Sequence, residues 1–97
     1  MDFEWDDAKS EWNREHRGFG FEVVYEFDWE GAAIEEDQRA DYGERRFRAF
    51  GRAGDVRLFV AFTYRAEVLR IISVRRMHMK EAQRYGIQKA RSVSCGL

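Results

Sequence analysis

Residues 46–76 constrain this chain more than any other stretch. Arg46 to Arg52 alternates Arg46, Arg48, Phe50 and Arg52 with Phe47, Ala49 and Gly51. Val56 to Tyr64 is rich in β-formers and almost wholly apolar, as a central strand buried on both faces would be. Val68 to Arg75 is again apolar at its centre. Ala53-Gly54-Asp55 and Arg65-Ala66-Glu67 separate the three, and both are turns too short for a crossover. Three strands joined this way must form an antiparallel meander. The sheet needs a covering layer, and a chain of 97 residues has enough left for that layer but not for a second domain.

The flanks predict helices. Asp6 or Asp7 can cap a first helix whose Trp5, Ala8 and Trp12 follow helical spacing and should face the core. Lys9, Asn13 and His16 share the neighbouring stripe, and Gly18 is the stop. Residues 19–29 conflict with themselves. Phe19, Phe21, Val23, Tyr25, Phe27 and Trp29 alternate like a strand, while Phe21, Val24, Tyr25 and Asp28 also fit a helical stripe. After Gly31, Ala-Ala-Ile-Glu-Glu suits an edge strand, and Asp37 to Glu44 reads as a turn. Met77 to Ala90 reads as a last helix, which Gly86 weakens by about 1 kcal/mol relative to Ala. The expectation is one α+β domain over residues 1–91: N-terminal helix, antiparallel sheet of three to four strands, C-terminal helix. Residues 92–97 are expected to be a flexible tail.

Aromatic residues make up 15 % of the chain, a payload of large rings that disordered chains lack. No apolar run is long enough to span a bilayer, and the acidic start is unlike a signal peptide. Cys95 is the single cysteine, so no internal disulfide can form; a reducing, cytoplasmic compartment is expected.

The formal net charge of −1 conceals a division. Residues 1–44 carry fifteen Asp and Glu against four Lys and Arg; residues 45–97 carry thirteen Lys and Arg against three Asp and Glu. One reading is that the halves face and neutralise each other. The other is that the basic half offers a surface to a polyanion.

Several chemistries lack their residues. There is no glycine-rich phosphate loop, and His16 and His78 have no ligand spacing to a second His or Cys. Ser73 lies inside a strand, and Cys95 is in the tail. No metal or cofactor is expected. What the sequence does offer is a sheet with many arginines. Arg46, Arg48 and Arg52 share one strand face; strict alternation puts Ile71, Ser73 and Arg75 on one side of another strand, with Arg70 and Arg76 on the opposite side. Guanidinium groups bind phosphate through paired donors, and Tyr64 or Tyr85 could stack a base. Such a sheet could hold single-stranded RNA. Cleavage needs no metal in principle, because the ribose 2′-hydroxyl attacks its own phosphorus. The protein must move two protons and stabilise the added charge. Arg can do the last, and Lys9, His16, Glu81, His78 or Tyr85 could move protons. Basic residues that merely guard a sheet edge against aggregation would look the same.

Three separated motifs go further. Phe3, Trp5, Asp6, Lys9, Asn13 and His16 resemble the opening of the BrnT toxins. Arg46-Phe47-x-Ala49-x-Gly51-Arg52 resembles that family's second motif, and Arg70-Ile71-Ile72-Ser73-x-Arg75-Arg76 followed by Glu81 its third. The resemblance implies a toxin of a type II toxin–antitoxin system, with a RelE-like fold and a ribonuclease activity that blocks translation. It implies a second helix over residues 20–28. It also implies a BrnA-type antitoxin as partner, through which alone the complex would contact operator DNA. Carried over by motif, Arg75 is the first candidate for the scissile phosphate and Arg48 the second, with Lys9 and His16 as further catalytic candidates. Arg46, Arg52, Arg70, Arg76 and Tyr64 are candidate RNA contacts. The alternative is a module that keeps the fold and binds the antitoxin without cleaving RNA. Two departures matter: Arg17 stands between His16 and Gly18, and His78 replaces a capping Thr or Ser, so that Glu81 is expected to lose its capping partner.

Overall fold

The computed structural model describes residues 2–87. Its elements are β1 (Asp2–Trp5), α1 (Asp7–Arg17), a 3₁₀ segment (Phe21–Tyr25), β2 (Ala33–Asp37), β3 (Arg46–Ala53), β4 (Val56–Arg65), β5 (Val68–Arg76) and α2 (Met79–Tyr85). The α+β class is as expected, but the sheet has five strands, in the order β1-β5-β4-β3-β2, rather than three or four. The expected tail, 92–97, lies outside the described residues, as does the end of the expected helix beyond residue 87.

The meander forms as its turns require. β3 pairs antiparallel with β4, and β4 with β5, with Phe50 opposite Phe59 and Val60 opposite Val74. Gly54 (φ 60°) and Ala66 (φ 57°) open the two-residue turns with the positive φ that a twisted hairpin needs. β2 is the edge strand its sequence suggested. The other edge is unexpected. Asp2–Trp5 pairs parallel with Val68–Ile71, so the residues read only as a helix lead-in are a strand.

β5 departs from strict alternation. Ala61 pairs with Ser73 and Phe62 with Ile71, leaving Ile72 as the extra residue of a bulge. Ile71 and Val74 are therefore both buried in the core, and Arg70 and Arg75 share the opposite face, since their partners Thr63 and Phe59 lie four apart on β4. The expected grouping of Ile71 with Ser73 and Arg75 is thus overturned. The pairing with β1 stops beside the bulge, at Trp5 opposite Ile71, where the chain turns into α1. Beyond it α1 flanks β5: Arg17 Nη1 donates to the Val74 carbonyl at 3.0 Å, and Arg76 Nη1 to the Arg17 carbonyl at 3.0 Å.

The second helix implied for 20–28 is only a 3₁₀ segment. A 3₁₀ turn has three residues, so Phe21 and Val24 fall on one line, and Phe27 continues it into a bridge with Ala53. All three are buried against Ala49, Leu58, Val60, Phe62 and Ile71. Of the stripe expected to face the core, only Trp5 packs against it, and it does so from β1 rather than α1. Ala8 and Trp12 are exposed, and Ser10 and Asn13 are buried instead. Their side chains fasten the following loop: Ser10 Oγ accepts from Phe21 N–H at 2.8 Å, and Asn13 Nδ2 donates to the Phe19 carbonyl at 2.9 Å. Asp6 caps α1 by accepting from Lys9 N–H, and Gly18 ends it at φ 90°.

α2 is shorter than Met77–Ala90 because Gly86 takes φ 68° and terminates it. Glu81 keeps a capping bond without a Ser or Thr partner, since its Oε1 accepts from the backbone N–H of His78 at 2.8 Å. No helix among the described residues is long and apolar enough to cross a membrane.

Candidate functional site

α2 lies on the sheet face away from the main core. β3 presents Arg46, Arg48, Phe50 and Arg52 there, β4 presents Phe59, β5 presents Arg75, and β2 presents Glu35 beside Arg48. Two aromatic contacts hold the layer. The Tyr85 ring stacks on Phe50 with centroids 4.1 Å apart and planes 13° apart, and Phe50 meets Phe59 edge-on at 5.3 Å.

The two leading candidates, Arg75 and Arg48, both belong to this layer. The Arg75 guanidinium lies 4.2 Å over the Phe59 ring and donates to both carboxylate oxygens of Glu81 at 2.9 Å. Arg48 Nη2 donates to Glu35 Oε1, which also accepts from the Tyr85 hydroxyl at 2.9 Å. Arg48 Nε is buried and has no hydrogen-bond partner among the described residues. Arg48, Phe50, Lys80, Glu81, Arg84 and Tyr85 line a cleft of about 140 Å³.

These contacts set protonation. Hydrogen bonds from Arg75 hold the Glu81 carboxyl down at about 2, against a smaller opposing effect of burial. Burial first, and then the Glu35 carboxylate, push the Tyr85 phenol up. Glu81 is thus a carboxylate and Tyr85 a neutral O–H donor at neutral pH. Guanidinium groups beside a neutral phenol can neutralise charge gathering on a phosphorus centre and supply a proton to a departing oxygen.

The other candidates are spread more widely. Arg46 is on the same face as Arg48, 4.2 Å over Tyr42 and 3.5 Å from Glu44. Arg52 sits opposite Arg57 at the hairpin end. Arg70 shares the face of Arg75 but pairs with Glu4 of β1 at 3.0 Å. Arg76 is on the opposite face, over Phe19. Tyr64 is also not brought to the arginine face; it follows Phe62 in alternation and packs on Phe47 and Phe62. His16 stacks on Trp12 at 4.3 Å, and its Nδ1 lies 2.9 Å from the Trp12 carbonyl, which can only accept, so Nδ1 carries the proton. Lys9 is apart from Arg48 and lines a cleft of about 200 Å³ between α1 and the bulge of β5.

Sequence reading missed Glu35. The charge division was its one signal, because the acidic half does reach across: Glu4 to Arg70, Glu35 to Arg48 and Glu36 to Arg45. Among the described residues, no group of three or more His, Cys, Asp or Glu is arranged to hold a metal ion.

The family model for the ribonuclease toxin BrnT of type II toxin–antitoxin systems matches residues 5–81. The crystal structure of the Brucella abortus ribonuclease toxin BrnT is similar, with a TM-score of 0.64 and 28 % sequence identity over 81 % of this chain and 99 % of that one. No curated protein matches the chain by sequence. With the family model matching residues 5–81 and a solved member similar in structure, the chain belongs to the BrnT family of ribonuclease toxins of type II toxin–antitoxin systems.

Proposed function

We propose that this chain is a metal-independent endoribonuclease that cleaves RNA at the Arg75–Arg48 face, blocks translation and growth in the cytoplasm when free, and is silenced by a BrnA-type antitoxin. The observation that carries the proposal is the layer itself: two guanidinium groups and a protonated phenol meet on one sheet face beside an open cleft. In the proposed reaction the 2′-hydroxyl loses its proton and attacks the adjacent phosphorus. The bond to the 5′-oxygen then breaks, giving a 2′,3′-cyclic phosphate and a 5′-hydroxyl. Arg75, with Arg48, stabilises the added negative charge. Tyr85 protonates the departing oxygen, and Glu35, already hydrogen-bonded to that phenol, takes the proton of the 2′-hydroxyl. Glu81 is a poor base, because Arg75 holds it near 2. Arg46, Arg52 and Arg70 extend the cationic track on either side. Lys9 and His16 serve the strand rather than this proton transfer.

A second reading, an antitoxin-binding module without turnover, draws on one feature: Glu81 and Glu35 already neutralise both arginines. Purified protein separates the two readings. Under the first, RNA is cut with EDTA present and the products end in cyclic phosphate. RNA left intact with and without ribosomes, from protein that still binds its antitoxin, supports the second. Operator DNA enters either reading only through the antitoxin. A toxin–antitoxin complex that left Arg48 and Arg75 open would count against silencing at this face.

A further inference from the structure

We infer that the cleft between α1 and the β5 bulge is a second RNA subsite, which binds the phosphate next to the scissile one; this rests on the proposed ribonuclease site. Lys9, Trp12, Arg17, Ile72 and Ser73 line the cleft, and none of its lining residues is acidic. That is unusual here, since Arg45, Arg46, Arg48, Arg70 and Arg75 all have carboxylate partners. The Lys9 ammonium and the Ser73 hydroxyl have no hydrogen-bond or ion-pair partner among the described residues. Arg17 is held in place by its bonds to Asn13 Oδ1 at 3.1 Å and to the Val74 carbonyl, so its charge adds to that of Lys9 without moving.

The bulge positions this cleft relative to Arg75. Because β1 stops at Ile71, the edge of β5 beyond it is open to α1, and Ser73 is reachable from the α1 side. Ser73 and Arg75 are two residues apart on one strand and one face, a separation of about 7 Å. That matches one nucleotide step of an extended single strand. A phosphate on Lys9 and Ser73 would therefore be the immediate neighbour of one on Arg75. The half-exposed indole of Trp12, stiffened by the stacked His16 ring and by the Arg17 guanidinium 5.2 Å over it, walls the cleft where the attached sugar and base would lie. His16 is then a positioning residue for Trp12.

The test uses the full chain and a short fluorescent single-stranded RNA with 2′-O-methyl sugars, which lacks the nucleophile and reports binding alone. Anisotropy is followed across a salt series for the wild type, Lys9→Gln, Ser73→Ala, Arg75→Gln and the Lys9→Gln/Arg75→Gln double variant. Lys9→Gln should weaken binding about ten-fold and lower the slope of log affinity against log salt by about 0.7, one phosphate contact. Ser73→Ala should weaken binding without changing the slope. The double variant should show the product of the single losses, as separate phosphates require. An unchanged slope for Lys9→Gln overturns the subsite. So does a double variant no weaker than Arg75→Gln, which would put both cations on one phosphate, or a Lys9→Gln protein impaired only toward the antitoxin. Unmodified RNA left uncut by a wild type that shows the expected binding pattern would sink the ribonuclease proposal and leave the subsite standing.

Discussion

Arg75 and Glu81 are joined by two parallel hydrogen bonds of 2.9 Å, and this pair ties α2 to β5 while occupying the donors a phosphate would need. The planar fork of the guanidinium fits a carboxylate and a phosphate equally well, so the same geometry serves folding without substrate and recognition with it.

The pair carries a pH signature. Glu81 is held at about 2 in the folded chain against an ordinary value of 4.5. A depressed carboxyl adds stability that is complete above its ordinary value and is lost as pH falls through the folded value. With its side chain 23 % exposed, Glu81 should contribute on the order of 2 kcal/mol above pH 4.5, fading toward pH 2. Glu81→Gln should lower the thermal midpoint at neutral pH and flatten, but not abolish, its decline on acidification. Asp37 titrates in the same direction, because hydrogen bonds from Arg39 lower its carboxyl further still. Thermal unfolding of both proteins over an acid pH series checks this, and parallel curves would contradict it.

Tyr85 should stay protonated well past neutrality, because burial and the Glu35 carboxylate both oppose its ionisation. A difference titration by ultraviolet absorbance, wild type minus Tyr85→Phe, should place this phenol above ordinary tyrosines. Tyr85→Phe keeps the stack on Phe50 and loses one hydrogen bond, for about 1 kcal/mol of stability. Its cleavage rate should nevertheless fall by about two orders of magnitude, as for loss of a general acid. An unaltered rate would remove Tyr85 from the reaction.

Asn13 is a polar residue in a buried position, only 2 % exposed. Asn13→Ala strands the Phe19 carbonyl and removes the acceptor for Arg17, and should destabilise the fold by about 2–3 kcal/mol. Asn13→Leu should be no better, since it restores volume but not the bonds. Chemical denaturation of both variants is the check; a Leu variant as stable as the wild type would show that the bonds contribute nothing.

The sequence disclosed this architecture unevenly, for physical reasons. β3, β4 and β5 were legible because alternation and two-residue turns are local signals, and they put Arg46, Arg48 and Arg52 on one face. β1 was not, because its four residues gain strand geometry only from a parallel partner more than sixty positions away. The segment from Phe21 to Phe27 hid a three-residue period under a two-residue alternation. In α1 the exposed aromatic Trp12 outweighed the buried Ser10 and Asn13 in any apolar count. The candidate site was half legible. Arg75 and Arg48 were singled out from the other strand arginines by the family motifs, but Ile72 carries no mark of a bulge, and the bulge decides which residues join Arg75. Glu35 belongs to the site only through sheet pairing with Arg48, which spacing along the chain cannot reveal.

The most direct test of Arg75 as the phosphate-binding residue is a paired induction. Wild type and Arg75→Ala are expressed without antitoxin, with growth and RNA integrity followed together, and both proteins are confirmed folded by their unfolding transitions. The wild type should arrest growth with new RNA ends appearing, and the variant should grow normally, its cleavage reduced at least about 10²-fold, as expected when a group stabilising transition-state charge is removed. A folded Arg75→Ala protein that arrests growth and cuts RNA like the wild type would contradict the account.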